Sequence, residues 1–533
     1  MRGGAGRRDR GIAQGVAAVA RSGVRGLLRA NSGFASGIRL ANPSAVSPVL
    51  ILGCVAVYFA MLLAIAWVTG RKASEAGYFL GNKNSPWWLI AFGLIGDSLS
   101  GVTFISVPGE VGAKHFSYLQ VVLGYVLGYV VIAEVLLPLY YRLNLTSIYT
   151  YLGQRFGPAT QRTGAFFFVL SRTLGAAARL FLAVNVFQTF VFERLGVPFG
   201  LTTAVILALM LVYTYRGGIQ TLVWTDLFQS TFLLLGVTLS MVAIAQGLGI
   251  GAGGLVERIR ASPTSETFFW DWRAPNYFWK QFLSGAFIAI VMTGLDQNMM
   301  QKNLSCRSLR DAKKNIYAFI PVLVLVNLLF LSLGTLLFEY AQAKGITIPA
   351  KTDQLFPTLA LGSLGTFASV VFVLGLTAAT FNSADSVLTT LTTSFCIDFL
   401  RLNDRTDLDE AARARRRHWV HVGFAAVLLA VILGFRAFND ASVISTVLKI
   451  AGYTYGPLLG LFVLGLTTRF AVRDRWVPVL CFLAPGLCWL LDRNSEAWFG
   501  GYKFGFELLM LNGLLTAAGI LAVARRREAV TSV

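Results

Sequence analysis

The chain has 533 residues, of which 55% are hydrophobic and only 14% charged, whereas soluble domains carry about 25% charged residues. That balance excludes an ordinary soluble enzyme or binding module and predicts an all-α multi-pass membrane protein. The net charge of +20 does not call for nucleic acid, because basic loops beside membrane spans account for positive charge more simply.

Residues 1–45 hold eight arginines and one aspartate among Gly, Ala and Ser, with no long apolar core. They are expected to be a disordered leader outside the folded unit. Beyond it, apolar runs near the roughly 20 residues a helix needs to cross a bilayer occur thirteen times. They lie near 48–69, 86–111, 118–141, 164–190, 199–214, 221–246, 277–301, 315–340, 366–397, 419–437, 441–466, 476–491 and 504–524.

In the second run, Gly93, Gly96 and Gly101 surround Asp97, Ser98 and Ser100. Polar residues among glycines at that depth predict an unwound stretch, tolerable only where the freed backbone lines a cavity or binds an ion. The fourth run carries Arg172 and Arg179, two turns apart on one face. Intramembrane arginines require counter-charges or anionic ligands. Pairing with Asp97 or Glu134 and snorkelling of Arg172 are the structural readings. Arg179, after three alanines, is the better candidate for an anionic solute.

The seventh run has a weaker interruption at Thr293-Gly294. Interrupted helices five apart point to a five-plus-five inverted repeat, 86–246 and 277–466, with an extra helix at 48–69 and two last helices within 476–524. In the ninth run Asp385 stands among Asn382, Ser383, Ser386, Thr389 and Thr393 at helical spacing. Hydroxyl hydrogen bonds between helices explain the threonines. They explain a buried carboxylate poorly, and an oxygen-lined face suits a hard cation such as sodium.

Basic residues cluster after alternate runs: Arg71, Lys72 and Lys83 after the first, Arg142, Arg155 and Arg162 after the third. Lys302, Arg307, Arg310, Lys313 and Lys314 follow the seventh, and Arg525, Arg526 and Arg527 the last. The positive-inside rule then predicts an outside amino terminus and an inside carboxyl terminus. Five cysteines and three histidines show no metal-binding spacing. His418 and His421, following a run of arginines, are expected at the headgroup level.

Several segments together resemble the sodium/solute symporter family, which includes proline, sugar, sialic-acid and monocarboxylate carriers. They are Gly217-Gly218 with Trp224-Thr225-Asp226 and Gln229, Ser100 to Gly109, Asn382 to Ser386 with Thr393 to Asp398, and Tyr453 to Gly460. The resemblance implies a LeuT-like inverted-repeat transporter domain over 46–530, with no catalytic chemistry and no cofactor beyond coupling sodium ions. It implies a principal sodium site from backbone oxygens of Gly96, Leu99 and Ala379 and side chains of Asn382 and Ser383. Asn382 departs from the family's usual hydroxyl. A second cation site would match Asp226, Asn382, Asp385 and Ser386, with Asp385 in place of a hydroxyl, serving sodium, a proton or a cation of the protein.

The solute would contact Ser98, Thr103, Arg179, Met292 and Thr293. Thr103 and Met292 stand where sugar carriers place a glutamine and an aromatic gate, which disfavours a hexose. A carboxylated anion such as a monocarboxylate or a sialic acid is favoured, and the alternative is a sodium- or proton-coupled amino-acid symporter. A non-transporting solute sensor is the rival from another class. The expected partners are sodium ions, the small solute and the lipid bilayer of the plasma membrane, of bacterial inner-membrane type. The oligomeric state is left open.

Overall fold

The computed structural model describes residues 47–70, 75–405, 407–438 and 443–525. The expected leader over 1–45 lies outside the described residues, as do Arg71, Lys72, Arg526 and Arg527. The rest is almost entirely helical. Helix α1, Pro48–Gly70, is followed by α2, Trp87–Ser98, and α3, Gly101–Lys114. Between α2 and α3, Leu99 (φ −108°, ψ 73°) and Ser100 (φ −71°, ψ 175°) leave helical geometry. The predicted break therefore falls on these two residues. The last carbonyls of α2 and the first amides of α3 consequently lack partners inside their own helices.

Helix α4, Tyr118–Val131, continues through a π-helical turn into α5, Leu137–Arg142. Helix α6, Pro158–Phe187, carries the two arginines, and α7, Phe199–Gly247, bends at Gly218. Gly218 has φ +50°, and a Cβ there would meet the backbone carbonyl of Tyr78 at 2.5 Å. Only glycine accommodates both demands.

The second interruption is also present. Helix α8, Phe278–Ala289, runs through a π-helical turn ending at Gly294, and the chain re-enters a helix as α9, Gln297–Asn303. The two segments are bent by 68°. Helix α10, Leu309–Ala343, and α11, Gly365–Ser394, follow, then α12, Glu410–Phe438. Helices α13, Val443–Thr454, and α14, Gly456–Thr467, form another bent pair, at 47°. The last two are α15, Val477–Arg493, and α16, Leu508–Ala522.

Among the described residues, eight helices are long and apolar enough to cross a membrane, or ten if each bent pair is one span. The thirteen expected runs exceed that number for a physical reason. Helix α3 is counted with α4 and α5 as the single stretch Gly101–Arg142, which leaves α2, at 12 residues, too short alone, as are the apolar helices Phe199–Thr214 and α16.

Helix α11 is the hub. Of its apolar stretch 83% is buried, against 22% for that of α1, so α1 keeps a lipid-ready surface while α11 is enclosed. It packs against α2, α3, α6, α7, α9 and α12. Thr380 and Thr389 have no hydroxyl partner, whereas the hydroxyls of Thr377, Thr390, Thr392 and Thr393 donate to carbonyls four residues back. These four hydroxyls thus need no ion. Asp385 differs.

Candidate cation and solute site

The break between α2 and α3 lies against the middle of α11. Gly96 is packed so closely on Asn382 that a Cβ would collide with its amide nitrogen, while the Gly96 amide donates to Ser230 Oγ at 3.1 Å. Asn382 Nδ2 donates to the Asp226 carbonyl at 3.4 Å. Asn382 Oδ1 is buried with no hydrogen-bond partner. On the next residue, Ser383 Oγ donates to the Thr380 carbonyl at 3.2 Å and retains its lone pairs. Gly96 and Asn382 are therefore in direct apposition, with Leu99 at the break and Ala379 and Ser383 on the same part of α11. This donor set is oxygen-only and contains an orphaned acceptor, which fits a hard monovalent cation.

Asp385 is fully buried. Its Oδ2 accepts from the Tyr213 hydroxyl at 2.9 Å and from Gln229 Nε2 at 3.5 Å, and its Oδ1 from the Ser386 amide at 2.6 Å. Asp226 and Ser386 lie beside it, but they are joined to a residue that the sequence pattern places in a basic loop. Lys302 is 1% exposed, at the end of α9. Its ammonium donates to Asp97 Oδ2, to Asp226 Oδ2 at 2.5 Å and to Ser386 Oγ at 2.7 Å. Lys302 is thus removed from the topogenic set. The signal that could have found it is the second break, which makes the chain re-enter the fold with Lys302 one short helix later.

The two arginines of α6 part company. Arg172 does not snorkel: it is 5% exposed, and its Nε donates to Asp296 Oδ2 at 2.5 Å. The Tyr455 hydroxyl donates to the same oxygen, and the Met299 amide caps onto Asp296 Oδ1 at 3.2 Å. One carboxylate at the second break therefore ties α6, α9 and the α13–α14 junction together. The expected counter-charges are corrected accordingly. Asp97 serves Lys302, and exposed Glu134 pairs with Lys313 at 2.6 Å and accepts from Tyr317 at 2.8 Å. The sequence pattern does not single out Asp296, although an acid at an interrupted helix is the natural complement of a buried arginine.

Arg179 is half-buried, and no carboxylate among the described residues pairs with it. It lines a cavity of about 90 Å³. Ser98, Thr103, Met292 and Thr293 line the same cavity, so all five expected solute residues converge. Leu99 from the α2–α3 break shares this wall. The Thr293 hydroxyl is 3.2 Å from that of Tyr129. His421 is buried between helices, its ring nitrogens 2.9 Å from the hydroxyls of Thr214 and Thr392.

A model of the sodium:solute symporter family matches residues 78–471, well over half of the chain. The chain belongs to that family. The sodium/sialic acid symporter of Aliivibrio fischeri is 24% identical over 476 residues, covering 86% of this chain and 91% of the relative. The sodium-coupled monocarboxylate transporter 1 of Mus musculus is 26% identical over 438 residues, covering 79% and 69%. A solved Na⁺-coupled sialic acid symporter, substrate-bound and outward-open, shares the fold. Its TM-score is 0.76 at 18% identity, over 90% of this chain and 99% of that one. The sodium:solute symporter family and these relatives are transporters rather than enzymes, and the helical, multi-pass architecture accords with that.

Proposed function

We propose that this symporter imports a small carboxylated organic anion, a monocarboxylate or a sialic acid, together with sodium. The observation that carries the solute class is Arg179: a guanidinium without a carboxylate partner on a cavity wall, with the hydroxyls of Ser98, Thr103 and Thr293 and the apolar Met292 beside it. A guanidinium fork matches a carboxylate geometrically, and hydroxyls suit its remaining oxygens. The sialic acid and monocarboxylate relatives support the same chemistry.

Sodium would bind between the α2–α3 break and α11, through the carbonyls of Gly96, Leu99 and Ala379 and the side chains of Asn382 and Ser383. The orphaned Asn382 Oδ1 supports this assignment. An ion there links two elements that can otherwise separate, and Leu99 belongs both to that link and to the solute cavity. Sodium binding thereby favours the conformation in which the solute wall is assembled. Closure of one helical bundle against the other would deliver both to the opposite side.

The proposed topology is thirteen crossings in the plasma membrane, an extra helix before two five-helix inverted repeats, with the amino terminus outside and the carboxyl terminus inside. The alternation of basic residues along the chain supports the orientation.

The test is a thermal-shift screen of the purified protein against small acids, sugars and neutral amino acids, in sodium and in potassium. A carboxylated ligand should raise Tm in sodium and leave it unchanged in potassium. Stabilisation by a neutral sugar alone, or equally in both salts, would overturn the reading.

A further inference from the structure

We propose that Lys302 is a tethered counter-cation that occupies the auxiliary cation position, so that this symporter couples one sodium ion rather than two to each solute. The inference rests on the sodium-coupled reading above and concerns its stoichiometry.

Three observations carry it. The ammonium has three N–H donors, and all three are engaged, by Asp97 Oδ2, Asp226 Oδ2 and Ser386 Oγ. Lys302, Asp226 and Ser386 are each 1% exposed or less and Asp97 is 4% exposed, so water does not compete for these contacts. Asp226 and Ser386 are also two of the positions at which a second free cation is expected. A monovalent ion of the protein therefore already stands at the oxygens that a second sodium would need.

Among the remaining acceptors, Asp97 Oδ1 and Asp226 Oδ1 are buried with no hydrogen-bond partner, on the carboxylates that the ammonium already holds through their other oxygens. Asp385 is held by Tyr213, Gln229 and the Ser386 amide, and Asn382 Oδ1 lies on the residue packed against Gly96 at the principal site. A sodium ion entering between Asp226 and Ser386 would have to displace an ammonium covalently tied to α9. That displacement would strand Lys302 in a dry interior, away from the two carboxylates whose charge it now partly offsets. The lysine also joins α2, through Asp97, to α7 and α11, so it performs statically the bridging that a bound ion performs reversibly.

Stoichiometry has an electrical consequence. A monoanion carried with one sodium moves no net charge, whereas two sodium ions make the cycle electrogenic. Equilibrium binding of radioactive sodium to the purified full chain should give one ion per chain for the wild type. In proteoliposomes, an imposed inside-negative potential should leave the initial rate of monoanion uptake unchanged. Lys302→Ala should raise the sodium count to two per chain and make uptake accelerate at least threefold under the same potential. Lys302→Arg should retain one ion and the flat voltage response.

Two ions bound to the wild type, or voltage-driven uptake by it, would overturn the tethered-cation inference while leaving sodium coupling intact. No sodium bound by a wild type that still binds solute would instead overturn the sodium-coupled reading itself. If Lys302→Ala does not fold, the wild-type count and voltage response decide the matter alone.

Discussion

Arg172 and Arg179 are the same residue type, on one face of one helix, two turns apart, and they have opposite uses. Arg172 is closed in a salt bridge with Asp296 that also holds Tyr455 and caps α9. Arg179 lines a cavity and forms no salt bridge among the described residues; Asp97, on the same cavity, is held by Lys302. The difference comes from what arrives opposite each: a broken helix delivers an acid to the first and a polar-walled space to the second. Charge in a membrane interior is thus structural or functional according to its partner rather than its identity.

The comparison predicts different failures. Arg172→Ala should be the most damaging single change, costing about 3–5 kcal/mol, because it leaves Asp296 buried and uncompensated. The measurement is the unfolding temperature in detergent. The double variant Arg172→Met with Asp296→Asn should recover much of the loss, since replacing a buried pair by neutral groups is far cheaper than breaking it. A wild-type Tm in Arg172→Ala would break the contrast at its structural end.

Arg179→Met should leave Tm near the wild type and weaken recognition. Losing a charge-assisted hydrogen-bonded contact of about 1.5–3 kcal/mol weakens solute binding roughly 10- to 150-fold. Titration of the stabilising acid in saturating sodium measures it. If Arg179→Met loses stability as Arg172→Ala does, or binds the acid normally, the two arginines are not divided as described.

Asn382→Ala tests the cation site, whose Leu99 also lines the cavity. Removing its orphaned oxygen should weaken sodium affinity about fivefold, near one hydrogen bond's net worth of about 1 kcal/mol. Solute affinity at saturating sodium should be unchanged. Asn382→Ser should recover most of the loss by restoring an oxygen. A shift in solute affinity at saturating sodium would mean that Asn382 shapes the solute wall instead.

How much of this is legible in the sequence varies with the kind of signal. Glycines around Asp97 announce the first break, and Thr293-Gly294 the second. Polar residues and glycines are costly in a helix at membrane depth unless the backbone opens there onto a cavity or an ion. The convergence of Ser98, Thr103, Arg179, Met292 and Thr293 follows from the family resemblance. What escapes is pairing. Lys302 lies in sequence among loop cations and resembles them, and Asp296 resembles the end of a span. Both are placed by the bend of 68° between α8 and α9, which no local pattern measures. The partners of His421 escape for the same reason, since Thr214 and Thr392 come from distant helices. Periodicity reports which face a residue shares, whereas partners across helices depend on crossing geometry.

The smallest expected effect belongs to Asp385, which stands between the two kinds of charge. It is buried like Asp296, yet hydrogen bonds from Tyr213, Gln229 and the Ser386 amide hold it rather than a direct ion pair. In Asp385→Asn one terminal atom still accepts, so the Ser386 amide can keep its partner, while the Tyr213 hydroxyl must turn to accept from the new amide. The fold should therefore survive with Tm little changed. The negative charge is lost beside both Lys302 and Asn382, so sodium affinity should fall a few-fold, less than in Asn382→Ala, which removes a ligand itself. Sodium-activation curves for uptake, recorded across pH, provide the measurement. Unaltered sodium and pH dependence would show that Asp385 takes no part in cation binding and that its acid is structural, like the partner of Arg172.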